Sequence, residues 1–152
     1  MEKVDRTHWE RAELFEFFSA VSHPFYSVTF RVDVTNLYRY VKERHLSFYY
    51  AMGYLVTDAV NSVKNFRYAI RDGEVWLLDE RIPSLTDLKP GSEQFHIVTL
   101  PKVGGIAEFC ASAQARSAAQ KTLLDQDEEN DNLIYISCTC LLYTSPSPRD
   151  TE

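Results

Sequence analysis

The sequence predicts an α/β domain, a two-layer sandwich of helices on a mixed, mostly antiparallel sheet. Three observations carry that expectation. Stretches with apolar residues three and four apart are interspersed with stretches of strict two-residue alternation, the periods of helix and strand. An Asp72-Gly73 dipeptide divides two short alternating runs, as a two-residue hairpin turn requires. No internal repeat or Pro/Gly/Ser-rich linker separates these pieces, so they share one layered core.

Taken in order, Thr7-His8-Trp9-Glu10 has the spacing of a capping box and predicts a helix start. Leu14, Phe15, Phe17, Phe18 and Val21 form its apolar side, and Ser22-His23-Pro24 ends it, because the residue before a proline is driven out of helical conformation. Tyr26, Val28, Phe30, Val32 and Val34 alternate with Ser27, Thr29, Arg31 and Asp33, the most regular strand signal in the chain. Asp33 or Thr35 can cap a short helix through Leu37, Tyr40 and Val41. Phe48, Met52, Leu55, Val56, Ala59 and Val63 mark a longer helix, and their stripe reads as core.

The Asp72-Gly73 hairpin joins Phe66-Tyr68-Ile70 to Val75-Leu77. Residues 82–88 and 94–100 read as two more strands across the turn-rich Lys89-Pro90-Gly91-Ser92. After Gly104-Gly105, Ile106, Phe109, Cys110 and Ala113 in an alanine-rich context predict a helix that fades in the charged run 125–131. Leu133-Ile134-Tyr135-Ile136 closes the series as a buried strand.

Composition narrows the function. With 152 residues, 45% apolar and 13% aromatic, the chain has material for a core. Its 16 basic against 22 acidic residues, a net charge of -6, offer no electrostatic footprint for a phosphate backbone, so nucleic acid is not the expected partner. Apolar runs fall well short of the roughly 18 to 20 residues that cross a bilayer, and Met1-Glu2-Lys3-Val4-Asp5-Arg6 does not lead into a signal-peptide core. No membrane partner and a cytoplasmic location are expected. Cys110, Cys138 and Cys140 lack metal-ligand spacing and read as unbridged thiols. No metal is expected: His8, His23, His45 and His96 share no face with other ligands, and 125–131 lacks the glycine and closing glutamate of a calcium loop. His96, out of phase with Phe95 and Ile97, reads as a partly exposed strand residue. The usual phosphate-loop, zinc and serine-nucleophile motifs are missing. On the residues alone, a cytosolic enzyme with an aromatic-lined pocket and a non-catalytic binding module both stay open; the aromatics near Phe17, Phe18 and Tyr26 serve either.

Several strings then share an order and spacing. W-x-R-x-x-x-F-E-F-F over 9–18 and V-D-V-T-x-L over 32–37 resemble the opening of the chloramphenicol acetyltransferase family. F-Y-Y-A-M-x-Y-L-V-x-x-A-V-N over 48–61, F-R-Y-A-I-R-D-G-E-V over 66–75 and D-N-L-I-Y-I-S over 131–137 continue it in register. The stretch 88–94 departs, with Lys89-Pro90-Gly91 where the family carries an F-H-Q type stretch.

The resemblance implies the two-layer fold shared with dihydrolipoyl acyltransferase cores, a homotrimer with active sites between subunits, and acetyl transfer from acetyl-CoA, the co-substrate, to a hydroxyl of chloramphenicol or a similar alcohol. It implies a role in antibiotic resistance. Arg11 matches the arginine that pairs with the aspartate of the family's H-H-x-x-x-D-G motif and so steadies the catalytic imidazole. Phe17, Phe18, Ser22, Pro24, Tyr26 and Phe95 match acceptor-pocket positions. The catalytic histidine motif and the P-W-x-S-F-T-S segment that carries the oxyanion serine do not occur here, so no catalytic residue is assigned.

Residues 140–152, C-L-L-Y-T-S-P-S-P-R-D-T-E, resemble the conceptual translation of a transposase adapter used in preparing sequencing libraries. The expectation is a domain over 1–139, the N-terminal part of a C-terminally truncated acetyltransferase-like unit, and a disordered, non-native tail over 140–152. Such a chain is expected to lack acetyltransferase activity and to be poorly soluble, because missing strands expose sheet edges. The alternative is a non-catalytic ligand- or partner-binding homologue of the same fold.

Overall fold

In the computed structural model the described residues form two three-stranded sheets and four α-helices. The described residues are 1–88, 91, 93–128 and 130–138; the expected tail over 140–152, and most of the 89–92 turn, lie outside them. The first sheet has the order β1 (Glu2–Lys3), β3 (Glu74–Leu77), β2 (Tyr68–Arg71), antiparallel throughout. The second has the order β5 (Phe95–Thr99), β4 (Ile82–Leu88), β6 (Leu133–Ile136), with β4 antiparallel to β5 and parallel to β6. The mixed, mostly antiparallel strand pairing of the predicted α/β class is therefore present, divided between two sheets.

Helices α2 (Thr35–Glu43), α3 (Phe48–Ser62) and α4 (Ile106–Ala119) contribute to one core with the second sheet. Val41 of α2, Tyr50 and Ala51 of α3, Leu85 and Val98 of the sheet, and Phe109, Cys110 and Ala113 of α4 are all buried in it. Each large apolar side chain so buried stabilises the fold by roughly 1.5–3 kcal/mol. Gly53 lets α3 approach the sheet closely, since a Cβ there would stand 3.1 Å from Leu85 Cδ1.

Local chemistry sets most boundaries. Ser47 accepts from the Tyr50 amide at the start of α3. Asp33 accepts from the Thr35 amide at 2.9 Å as the chain turns into α2. Glu108 reaches back to the Gly105 amide at 2.9 Å at the start of α4. Asp72 and Gly73, with φ of 51° and 75°, form the hairpin turn between β2 and β3, both in the left-handed region.

Three expectations are corrected. The helix α1 covers Ala12–Ser19 and does not begin at Thr7. The Thr7 amide and hydroxyl both donate to Asp5 Oδ1, at 3.0 and 2.6 Å, which folds Thr7 back into a local turn on Asp5, and no amide donates to its oxygen among the described residues, so the capping box does not form. The segment 26–34, the most regular strand pattern, belongs to no sheet, and its apolar and polar residues alike are exposed as far as Asp33, with Val34 half-buried. Alternation suits a half-buried strand, but a strand exists only through its neighbours, and among the described residues none pairs with this one. Finally, His96 is buried at 1% exposure while Phe95 is 51% exposed, the reverse of the expected phase. The imidazole faces inward because Ser117 on α4 meets it there at 2.8 Å.

Candidate functional site

Arg11, Leu14, Phe15, Phe18 and Ser19 fall three and four residues apart and lie along one face of the segment that ends in α1. That face looks onto an open cleft of about 410 Å³ completed by Trp9, Pro24, Tyr68 and Ile70. Trp9 builds the corner: its ring meets Tyr68 edge-on at 5.3 Å and Phe15 at 6.0 Å, so the start of the helix is held against β2. The Arg6 guanidinium stands 5.6 Å from the Phe15 ring centre. Arg11 is the one charged residue of the lining, and no hydrogen bond or ion pair engages its guanidinium among the described residues. An apolar aromatic wall with one free fork of N–H donors can hold a small apolar molecule and orient one polar or anionic group.

Of the residues singled out from sequence, Arg11, Phe18 and Pro24 meet in this cleft. Phe17 lies outside its lining and packs edge-on against Phe18 at 5.2 Å. Ser22 is exposed beside His23, and Tyr26, 88% exposed, is not part of the wall. Phe95 belongs to the other sheet, at the first position of β5. Trp9, Leu14, Phe15, Ser19, Tyr68 and Ile70 were not assigned to a site from sequence. The helical stripe with Arg11 and Phe18 could have flagged Leu14, Phe15 and Ser19, whereas Tyr68 and Ile70 come from a distant hairpin with no local signal.

A second polar cluster lies between α3, α4 and the β4–β5 pair. The Tyr50 hydroxyl and the Ser117 hydroxyl both donate to Asp87 Oδ2, the latter at 2.6 Å, and the Leu88 amide donates to Oδ1 at 2.9 Å. Ser117 also meets His96 Nε2. Burial pushes the Asp87 carboxyl up, yet the hydrogen bonds from Ser117, Tyr50 and Leu88, with the field of His96, outweigh it and hold the carboxyl below its ordinary value. Burial, reinforced by the bond to Asp87, pushes the Tyr50 phenol up to about 12. Next to it, Tyr49 donates to the Thr86 carbonyl, and burial pushes its phenol up as well.

Among the described residues no group of three or more His, Cys, Asp or Glu could hold a metal ion, Cys110 and Cys138 are free thiols, and no helix is long and apolar enough to cross a membrane.

These features define a class: a two-layer α/β protein with an aromatic cleft between its first helix and a hairpin, fit for a small apolar ligand. The comparisons with known proteins then agree. The family model described as chloramphenicol acetyltransferase matches residues 1–145, and the chain belongs to that family. It is 39% identical over 95 residues to a chloramphenicol acetyltransferase of Clostridium perfringens, covering 62% of this chain and 44% of that protein. It is 30% identical over 138 residues to chloramphenicol acetyltransferase 3 of Escherichia coli, covering 89% of this chain and 65% of that one. A solved chloramphenicol acetyltransferase structure superposes with a TM-score of 0.75 at 25% identity, over 90% of this chain and 69% of the other. The matches thus span under half to about two thirds of the relatives' lengths.

Proposed function

We propose that the chain supplies the acceptor-binding part of an O-acetyltransferase that moves acetyl from acetyl-CoA to a hydroxyl of chloramphenicol or a related alcohol. The observation that carries this reading is the meeting of Arg11, Phe18 and Pro24 in one aromatic cleft within a chain of this family. Arg11 would serve as the positioning group for a catalytic imidazole, its N–H fork being unengaged among the described residues. Phe18 and Pro24 would line the acceptor, and Phe17, Ser22, Tyr26 and Phe95 would join them from a second copy or on closure. Acetyl-CoA enters as co-substrate and no metal is required; the cleft, with one cation and an otherwise uncharged lining, suits the acceptor and not the CoA pyrophosphate. A cytoplasmic homotrimer with sites between subunits, conferring antibiotic resistance, is the setting we propose.

We further propose that the 152 residues alone turn nothing over. Neither H-H-x-x-x-D-G nor P-W-x-S-F-T-S occurs in them, and a general base typically contributes about 10²–10⁴-fold in rate, with an oxyanion donor adding a comparable factor. The test follows CoA release with chloramphenicol, using this chain and a chimera continued after Ile136 with the corresponding part of the Escherichia coli relative. Turnover by the chimera alone supports both statements. Turnover by the short chain refutes the second, and an inert but folded chimera refutes the first.

A further inference from the structure

The polar cluster around Asp87 has a direction. A carboxylate only accepts, so the Ser117 proton goes to Asp87 Oδ2, alongside the proton of Tyr50. The Ser117 oxygen is then left to accept, and the proton it shares with His96 belongs to Nε2. His96 therefore carries a proton on Nε2, and its Nδ1 is buried with no hydrogen-bond partner among the described residues. The order of donation runs from His96 to Ser117 to Asp87, with Tyr50 entering at the same carboxylate oxygen.

The placement of this chain of bonds gives it a use. Asp87 and His96 face each other across β4 and β5, and the next pair along the ladder is Leu88 with Phe95. The cluster therefore clamps the rung immediately inside Phe95, joining four elements: Tyr50 from α3, Asp87 from β4, His96 from β5 and Ser117 from α4. One rung further out, the Phe95 ring is half exposed, beside a stretch that departs from the family pattern. Packing by itself would be served better by an apolar residue at 96, since Nδ1 is desolvated for no bond.

We propose that His96, Ser117 and Asp87 form a positioning relay that fixes the aromatic end of the β4–β5 pair, and with it the orientation of the Phe95 ring toward an acceptor. The acceptor clause rests on the function proposed above; the relay does not.

The experiment uses the full 152-residue chain with ¹⁵N-labelled histidine and 4-fluorophenylalanine at position 95. Long-range ¹H–¹⁵N spectra are expected to show a proton on Nε2 of His96. Ser117→Ala is expected to shift and broaden the fluorine signal of residue 95 and to displace the His96 nitrogens, while the amides of β2 and β3 stay in place. Ser117→Thr, which keeps the hydroxyl, and His96→Gln, which keeps a side-chain N–H, should restore the parent fluorine signal; His96→Leu should not. Chloramphenicol affinity should fall about tenfold in Ser117→Ala and His96→Leu alone. A His96 Nε2 without a proton, or a fluorine signal indifferent to Ser117→Ala, overturns the relay, and if that variant does not fold, the Nε2 proton in the parent decides. A parent chain that binds no chloramphenicol while these spectra come out as expected overturns the acceptor reading and leaves the relay standing.

Discussion

The Arg81 guanidinium donates through Nη1 to the main-chain oxygen of Asp131 at 2.5 Å, and the Asp131 carboxylate holds Arg71 in a two-pronged ion pair at 2.5 and 2.7 Å. Arg81 also donates to the carbonyls of Phe66 at 2.9 Å and Tyr68 at 2.5 Å, and its own amide donates to Asn61 Oδ1 at 2.7 Å. One side chain at the entry to β4 thus ties β2 of the first sheet to the approach of β6 in the second. Arg81→Ala leaves three carbonyls without this donor, and hydrogen bonds to charged groups contribute about 1.5–3 kcal/mol each before water replaces them. With half-exposed partners, a net loss of roughly 2–3 kcal/mol is expected in urea unfolding. Arg81→Lys, a point charge without the planar fork, should recover less than half of it.

The Asp87 carboxyl gives the fold an acid-side dependence. Its folded-state pKa lies below the ordinary carboxylate value, so its contribution is complete above about pH 4 and is lost as pH falls through the folded value. Asp87→Asn should be destabilised by about 1–3 kcal/mol at pH 7 and should show a shallower decline in stability below pH 4 than the parent. Tyr50 acts at the other extreme. Its raised value, about 12, means that its contribution is present below about pH 10 and disappears as pH rises through 12. Chemical denaturation across the pH range measures both.

The segment 26–34 should make the chain associate with itself. It presents Tyr26, Val28, Phe30 and Val32, each more than half exposed, in a segment that is neither helix nor strand and that pairs with no strand among the described residues. Unpaired edges with apolar side chains recruit other edges. Light scattering on the parent should give a mass above 17.6 kDa that rises with concentration. The pair Val28→Asp and Phe30→Asp should shift it toward the monomer without loss of helical signal, since neither residue is in the core.

At the β2–β3 turn, Gly73→Val places a β-branched residue at φ 75°, a conformation it adopts only under strain, with open space around the position. The expected cost is roughly 1–2 kcal/mol in thermal or urea unfolding, arising from backbone strain alone.

How much of this was legible before the structure depends on range. Asp72-Gly73, the helix through Phe48, Met52, Leu55, Val56, Ala59 and Val63, and the helix α4 after Gly104-Gly105 were readable because their signals are local: a turn conformation, a periodic stripe, an alanine-rich run. Segment 26–34 misled because alternation is necessary for a half-buried strand but does not supply its partner. Thr7 misled because Asp5, two residues upstream, holds its amide and hydroxyl in a local turn ahead of the helix. His96 was placed on the wrong side of β5 because Ser117, its partner, is twenty-one residues away on a helix. The cleft was half visible: Arg11, Phe18 and Pro24 came through family resemblance, while Tyr68 and Ile70 reach it only through the packing of Trp9 onto β2.

The central claim is that the cleft between α1 and β2 receives the acceptor. Trp9 lies in its wall, and Trp76 is the other tryptophan of the chain. In a Trp76→Phe background, chloramphenicol should change Trp9 fluorescence saturably, and Phe18→Ala should weaken the half-saturation about tenfold, the consequence of removing a large aromatic contact. A fluorescence response that never saturates, or one indifferent to Phe18→Ala, contradicts the account.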